Sequence, residues 1–353
     1  CPRGSPVVNL QSPSTVTFSI TAPGYYILEL DGEFNVSTLD TGLMVFAHLE
    51  DVTPPSPDDP SVVYFAAGIH TIAGGVLQLE NDSTVYLAQD AVVLGRVEAS
   101  NVHNTTLRGN GVLAAEWLPG EPLPPSVANC THCGCPGHHA IDISNSTEVT
   151  VEGITVMHAS SWMVKLTSVV GATVRGLQVI GWRCNNDGVD VVSSSNVVIE
   201  HSFIRSADDA IAIKGMVTTQ PTHDIIVRDS VLFPHGNCME IGFELFNAAV
   251  YNITFERNIC LHQMMNAFSI HNGGHAKVSG ITYRDIVVEG LVAPPSTVSH
   301  DESYGLKVVD LQITQSRYSG PDMLKRGTIS DVIYSNITYR SNGLQWIMSR
   351  MMG

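Results

Sequence analysis

One short phrase recurs along the chain: alternating Val, Ile, Thr and Tyr, a polar or Gly pair, then a second brief apolar run. It occupies 149–156, 173–179, 197–204 and 225–232, and returns at Ile253, Ile281 and Val332. Aligning Val151, Val174, Ile199, Val227, Phe255 and Tyr283 gives steps of 23, 25, 28, 28 and 28 residues. A fixed period of this size means a solenoid, because one such unit cannot bury its apolar side chains alone. β-Branched and aromatic residues dominate the repeat and no ten-residue stretch carries helical spacing, so the units are strands. Leucine-rich repeats share the period but need Leu at most consensus positions, which this chain lacks. The expectation is an all-β solenoid whose coils stack about 4.8 Å apart.

Two upstream strand signals, 62–72 and 83–94, read as the opening coils. Ahead of them, 16–20 and 25–30 flank Pro23 and Gly24, a hairpin signal. A Pro-rich linker, 54–60, follows. The chain thus divides into a short N-terminal β segment, 1–53, too short for a self-sufficient sandwich, and a solenoid over 61–353. Asn196 and Asn258, near turns, suit side-chain ladders or left-handed bends.

With 34 acidic against 18 basic residues, the formal charge is −16. No Lys/Arg-rich stripe is available to displace counterions, which argues against a nucleic-acid partner. No apolar run approaches the ~18 to 20 residues of a membrane span. Sequons at Asn35, Asn81, Asn104, Asn129, Asn145, Asn252 and Asn336 point to a secreted glycoprotein, chance matches in an Asn-rich repeat being the alternative. Seven cysteines fit that compartment. Cys130, Cys133 and Cys135 crowd against His132, His138 and His139; the spacing lacks the second Cys pair of a zinc ribbon, so a disulfide-stapled loop is preferred over a metal site.

Counted from the reference residue of its coil, Trp162 lies at +11, Asp187 at +13, Asp208 and Asp209 at +9 and +10, and His235 at +8. These offsets put all five on one side, in successive layers, lining a single groove. On a regular strand, one of Asp208 and Asp209 would point into the interior, so both reach the groove only if the backbone bends there. Alternation then resumes, with Ile211 and Ile213 inward. An acidic coil corner is the bland alternative. Carboxyls meeting from adjoining coils can instead cleave a glycosidic bond, one protonated for the leaving oxygen and another ionised to activate water.

These motifs carry a resemblance. The chain resembles the right-handed parallel β-helix hydrolases typified by polygalacturonases, glycoside hydrolase family 28, and the related dextranase and isopullulanase family 49. The shared pattern is Asn-x-Asp-Gly-x-Asp, here Asn185, Asn186, Asp187, Gly188, Val189 and Asp190, followed one coil later by Asp208 and Asp209. It covers about residues 60–345, and the N-terminal segment resembles the end of the sandwich that precedes the family 49 solenoid. The resemblance implies a right-handed parallel β-helix, Asp208 as general acid, and Asp187 and Asp209 as the carboxylates that position and deprotonate water. It also implies inversion, with acid and base ~6.5 to 9.5 Å apart. No cofactor is implied. Crowding of the carboxyls predicts a raised pKa and a mildly acidic optimum.

The departures concern the substrate. Polygalacturonases carry a Gly-His-Gly segment where this chain has Pro234, His235 and Gly236, and an Arg-Ile-Lys triplet where it has Ser269, Ile270 and His271. Loss of both cations removes charge-assisted hydrogen bonds to a uronate, so a neutral glycan such as an α-glucan or galactan is favoured over homogalacturonan. Trp162, Asn186, Asp190, Lys214, His235, Glu240, Glu244 and His271 are the candidates for holding the polysaccharide. Core packing for Trp162, acid pairing for Lys214 and a solvated rim for Glu240 and Glu244 are their alternatives. A pectin hydrolase, a β-helix polysaccharide lyase and a non-catalytic glycan-binding solenoid remain as rivals.

Overall fold

The computed structural model describes residues 8–12, 15–29, 42–47, 53–115, 137–263, 265–290, 307–314, 325–341 and 344–352. Two units separate along the chain, Cys1–Thr53 and Pro54–Gly353. In the first, Val8–Ser12 pairs antiparallel with Thr15–Phe18, and Gly24–Glu29 with Gly42–Ala47. The hairpin expected around Pro23 and Gly24 is therefore corrected: these residues join two hairpins rather than turn one. A two-residue hairpin needs positive φ at its centre, whereas Gly24 lies outside that region and begins a strand.

The second unit is a right-handed parallel β-helix. A representative coil runs through Val189–Val192, Ser195–Glu200 and Phe203–Ser206, and each strand pairs in parallel with its equivalents one coil away. The repeat aligned in the sequence is the stacking register. Val151 faces Val174, which faces Ile199, then Val227, Phe255 and Tyr283, and Tyr334 continues the column. All are buried, and the three aromatic rings at the end stack with centroids 4.9 and 5.1 Å apart.

The corners are as regular as the core. Asp82, Asn104, Glu148, Gly171, Asn196, Asp224, Asn252, Gly280 and Asp331 all have positive φ and sit at equivalent positions of successive coils. Asn, Asp and Gly tolerate this bend at least cost, and Asn104 Nδ2 ties it to the coil below through Asp82 Oδ1 at 2.8 Å. Asn196 thus holds a left-handed bend, while buried Asn258 bonds the Val227 carbonyl and the Ser230 amide. Charges of opposite sign pair on the outer face, as in Glu152–Arg175 and Glu200–Arg228. Exposed pairs of this kind add little apiece. Cys238 and Cys260 form a disulfide between neighbouring coils, and Cys184 is disulfide-bonded too. At the far end Leu344–Met352 turns back antiparallel on Val332–Ser341.

Candidate active site

Four consecutive strands floor one face: Val189–Val192, Ile211–Gly215, Met239–Leu245 and Asn266–Asn272. Val189, Val191, Ile211, Ile213, Met239, Ile241, Phe268 and Ile270 point into the core. Strand alternation therefore sends Asp190, Glu240, Ser269 and, two residues further along each strand, Lys214 and His271 to the opposite face. The bend required before Ile211 is present: Asp208 and Asp209 occupy the link between Phe203–Ser206 and Ile211–Gly215. The layers are locked together there, with Gly188 N donating to Asp209 O at 2.8 Å and Ala210 N to Asn237 O at 2.9 Å. Gly188 has no alternative, since a Cβ would lie 2.2 Å from Ile204 and 2.4 Å from the Ala210 carbonyl. At Gly236 a Cβ would stand 2.7 Å from Asp208 Oδ1, so the residue after His235 must leave room for that carboxyl.

Asp187, Asp208 and Asp209 come together. Asp187 is 3 % exposed and Asp209 9 %, while Asp208 is more open. Burial, reinforced by Asp190 and Asp208, pushes the Asp187 carboxyl well above the usual range. Burial, with Asp208 and Glu240 beside it, does the same to Asp209, whose Oδ1 accepts the Asn237 amide at 2.7 Å. Burial raises Asp208 less, because Lys214 and a backbone hydrogen bond oppose it. Asp187 Oδ1 and both Asp190 oxygens meet no hydrogen-bond donor among the described residues. A shared proton supplies what the pair lacks, as like charges this close do not both ionise.

One cation offsets the cluster. Lys214 Nζ lies 2.9 Å from Glu244 Oε2, 3.2 Å from the Gly242 carbonyl and 4.0 Å from Asp190 Oδ1, with the Trp162 ring centroid 5.0 Å away. Its burial favours loss of the proton, but Glu244, Asp187, Asp190 and Asp209 together outweigh that and keep it charged. The acid-pairing alternative for Lys214 is the observed one. Trp162 is half-buried at the rim, stacked on His139 at 5.5 Å. His235 follows Val231–Pro234 at the level of the Asp208 bend and is partly exposed.

Several sequence expectations are corrected. Asn186 faces the scaffold: its Nδ2 donates to the Ala159 and Ser161 carbonyls and its Oδ1 accepts the Arg183 amide. Asp190, Glu240 and His271 are fully buried, so none is a solvated rim group or an open hydroxyl acceptor. Glu240 accepts from Ser269 and lies 3.1 Å from His271 Nδ1. His271 Nε2 is 3.3 Å from Asp310, and Phe243 stacks on the imidazole at 4.6 Å. Burial acts against its charge, yet Glu240 and Asp310 prevail and lift its pKa to about 9. Asp310 and Phe243 were missed. Asp310 lies in register with Ser269, but 41 residues on, where the regular interval breaks.

Of the Cys and His cluster, Cys130, His132, Cys133 and Cys135 lie outside the described residues. Burial, with Lys165 adding to it, lowers the His139 pKa to about 4, so the ring is neutral. Among the described residues, no group of three or more His, Cys, Asp or Glu is placed to hold a metal. No helix among them is long and apolar enough to cross a membrane. Asn81, Asn104, Asn145, Asn252 and Asn336 are all exposed; Asn35 and Asn129 lie outside the described residues.

The fold and the acidic cluster it carries are those of a parallel β-helix protein of the carbohydrate-hydrolase type. Residues 70–343 match the model of glycosyl hydrolases family 28, and the chain belongs to that family. An endo-polygalacturonase of Pectobacterium carotovorum is 27% identical over 158 residues, 44% of this chain and 38% of the relative. An exopolygalacturonase of Rhizopus delemar is 25% identical over 237 residues, 67% of this chain and 55% of the relative. The matched region thus spans well under two thirds of these relatives' length. The hyperthermoactive exopolygalacturonase of Thermotoga maritima shares the fold at a TM-score of 0.55 and 15% identity, over 83% of this chain and 86% of that one. The family 28 exopolygalacturonase of Yersinia enterocolitica gives 0.53 and 16%, over 79% and 66%.

Proposed function

We propose that this protein hydrolyses O-glycosidic bonds of a polysaccharide by single displacement with inversion. The convergence of Asp187, Asp208 and Asp209 carries the reading. Asp208, the most open and with a raised proton affinity, gives its proton to the glycosidic oxygen as the bond to the anomeric carbon breaks. Asp187 and Asp209 orient a water on the opposite face, and the one of them that is ionised takes its proton as its oxygen attacks that carbon. The leaving sugar departs as an alcohol, and solvent resets the carboxyls.

The favoured substrate is a neutral glycan. Six carboxyls, on Asp187, Asp190, Asp208, Asp209, Glu240 and Glu244, surround two cations. Lys214 and His271 are already paired within the protein, so a uronate would bring another anion into a dry acidic site. Forgoing two charge-assisted hydrogen bonds costs about 3 kcal/mol or more, roughly a hundredfold in affinity. Galacturonan hydrolysis is the second reading, favoured by the polygalacturonases among the relatives. A screen of dextran, pullulan, galactans and polygalacturonate, read by reducing ends and product anomer, decides between them. Asp208→Asn should lose ~10² to 10⁴ of the rate; an equally active variant would remove Asp208 from the mechanism.

The exposed sequons and the Cys238–Cys260 bridge support a secreted glycoprotein. Enzymatic deglycosylation of protein from a eukaryotic host should lower its mass, and an unchanged mass would count against this.

A further inference from the structure

Asp209 belongs to a row that climbs the solenoid. Val189, Ile211, Met239 and Phe268 are register partners, and two residues before each stand Asp187, Asp209, Asn237 and Asn266. The backbone carries this row from coil to coil: Gly188 N donates to Asp209 O at 2.8 Å, Ala210 N to Asn237 O at 2.9 Å and Cys238 N to Asn266 O at 2.9 Å. Asp209 therefore has a carboxyl on one side and an amide on the other.

The two amides are joined to it in series. Asn266 Nδ2 donates to Asn237 Oδ1 at 2.8 Å, and Asn237 N donates to Asp209 Oδ1 at 2.7 Å. Both side chains are buried, Asn266 completely and Asn237 to 4% exposure. Gly236 N on Asp208 O at 3.0 Å and the Cys238–Cys260 bridge anchor the same segment. Asp187 has no such support: its Oδ1 meets no donor among the described residues, and it shares a proton with Asp190. Charged surroundings do not separate the two carboxyls. Asp208, Glu240, Lys214 and Asp187 face Asp209, while Asp190, Asp208, Lys214 and Asp209 face Asp187. Lys214 and like charges stand by both; the donated N–H is what differs, and such a bond favours the ionised form.

We propose that Asn237 and Asn266 are positioning residues that hold an N–H on Asp209 and so make Asp209, rather than Asp187, the carboxylate that takes the proton of the attacking water. This rests on the hydrolase reading above. The water oxygen bonds the anomeric carbon, its proton passes to Asp209, and the Asp208 proton leaves with the departing sugar. The test is a set of pH–rate profiles on whichever of dextran, pullulan, galactan or polygalacturonate is cleaved. Asp209→Asn should remove the acidic limb along with ~10² to 10⁴ of the rate. Asp187→Asn should slow the enzyme but keep that limb. Cutting the amide series should loosen the N–H bond and raise the proton affinity of Asp209. Asn266→Ala and Asn237→Ala should therefore each move the acidic limb up by about one pH unit, lowering kcat with KM unchanged. The double variant should move it no further, since both changes cut one chain of bonds. Asn237→Ala reads that chain even if Asn266→Ala fails to fold. An acidic limb lost in Asp187→Asn but kept in Asp209→Asn, or unmoved by the alanine variants, would overturn the assignment and leave hydrolysis intact. Release of no reducing ends from any of these glycans would overturn hydrolysis itself, and this assignment with it.

Discussion

Asp190 is sealed from solvent, with no hydrogen-bond donor among the described residues beyond the proton it shares with Asp187, and burial raises its pKa to about 8 although Lys214 pulls the other way. The linkage follows from that shift. In the unfolded chain Asp190 ionises near its ordinary 3.8, while in the folded protein it holds its proton to about 8. Its contribution to stability is therefore complete below the first value and is lost as pH rises towards the second. Asp187 and Asp209, also raised, act with the same sign. Thermal unfolding at pH 4, 6 and 8 should show a Tm that declines with pH, and Asp190→Asn should make the decline shallower; parallel curves would place the titration elsewhere. Activity is bounded similarly. Asp208 must keep its proton to serve as acid, so the rate should fall as pH rises through its raised pKa. In a pH–rate profile, Asp208→Asn should abolish that alkaline limb along with most of the rate.

At the level of strands and coils, the inward column ends in stacked aromatics whose polar groups are not served. The Tyr283 and Tyr334 hydroxyls are buried and meet no hydrogen-bond partner among the described residues. An unsatisfied buried hydroxyl costs ~1 to 3 kcal/mol, so Tyr283→Phe should stabilise the helix by about 1 kcal/mol or more, measured by urea unfolding; a loss of stability would reveal a partner for that hydroxyl. His271 is the opposite case, a charged ring between two acids. His271→Ala would strand the fully buried Glu240, while Asp310 keeps Lys307 and Gln312, and should cost ~3 to 5 kcal/mol in the same assay. The column was legible in the sequence because an inward residue every 23 to 28 positions is the stacking register itself. Asp187, Asp208 and Asp209 were legible because offsets within a coil translate directly into a side of the solenoid. Asp190, Glu240 and His271 were misplaced because an offset gives the direction of a side chain but not what lies above it, and the two residues that Met239–Leu245 carries beyond Ile211–Gly215 have no periodic signature. Asn186 is a separate case, since its motif does not say that its amide turns to the Ala159 and Ser161 carbonyls. The N-terminal strands failed differently, since a Pro-Gly pair marks a break without saying which strands it separates.

For the whole molecule, a formal charge of −16 repels any polyanion before contact is made. That field is screened beyond about 8 Å at physiological ionic strength and reaches about 30 Å at 0.01 M. Within the acidic cluster the sign is the same, since Lys214 and His271 are already committed to neighbouring carboxyls. Substrate charge should therefore be readable from salt alone. Hydrolysis of a neutral oligosaccharide should have the same kcat/KM at 10 and 200 mM NaCl. Any cleavage of polygalacturonate should accelerate several-fold over that range, as screening relieves repulsion during encounter. A polygalacturonate rate that instead falls with salt would mean that cations of this chain attract the polymer. Those cations would have to act outside the Lys214 and His271 pairs, and the neutral-glycan reading would then give way to galacturonan.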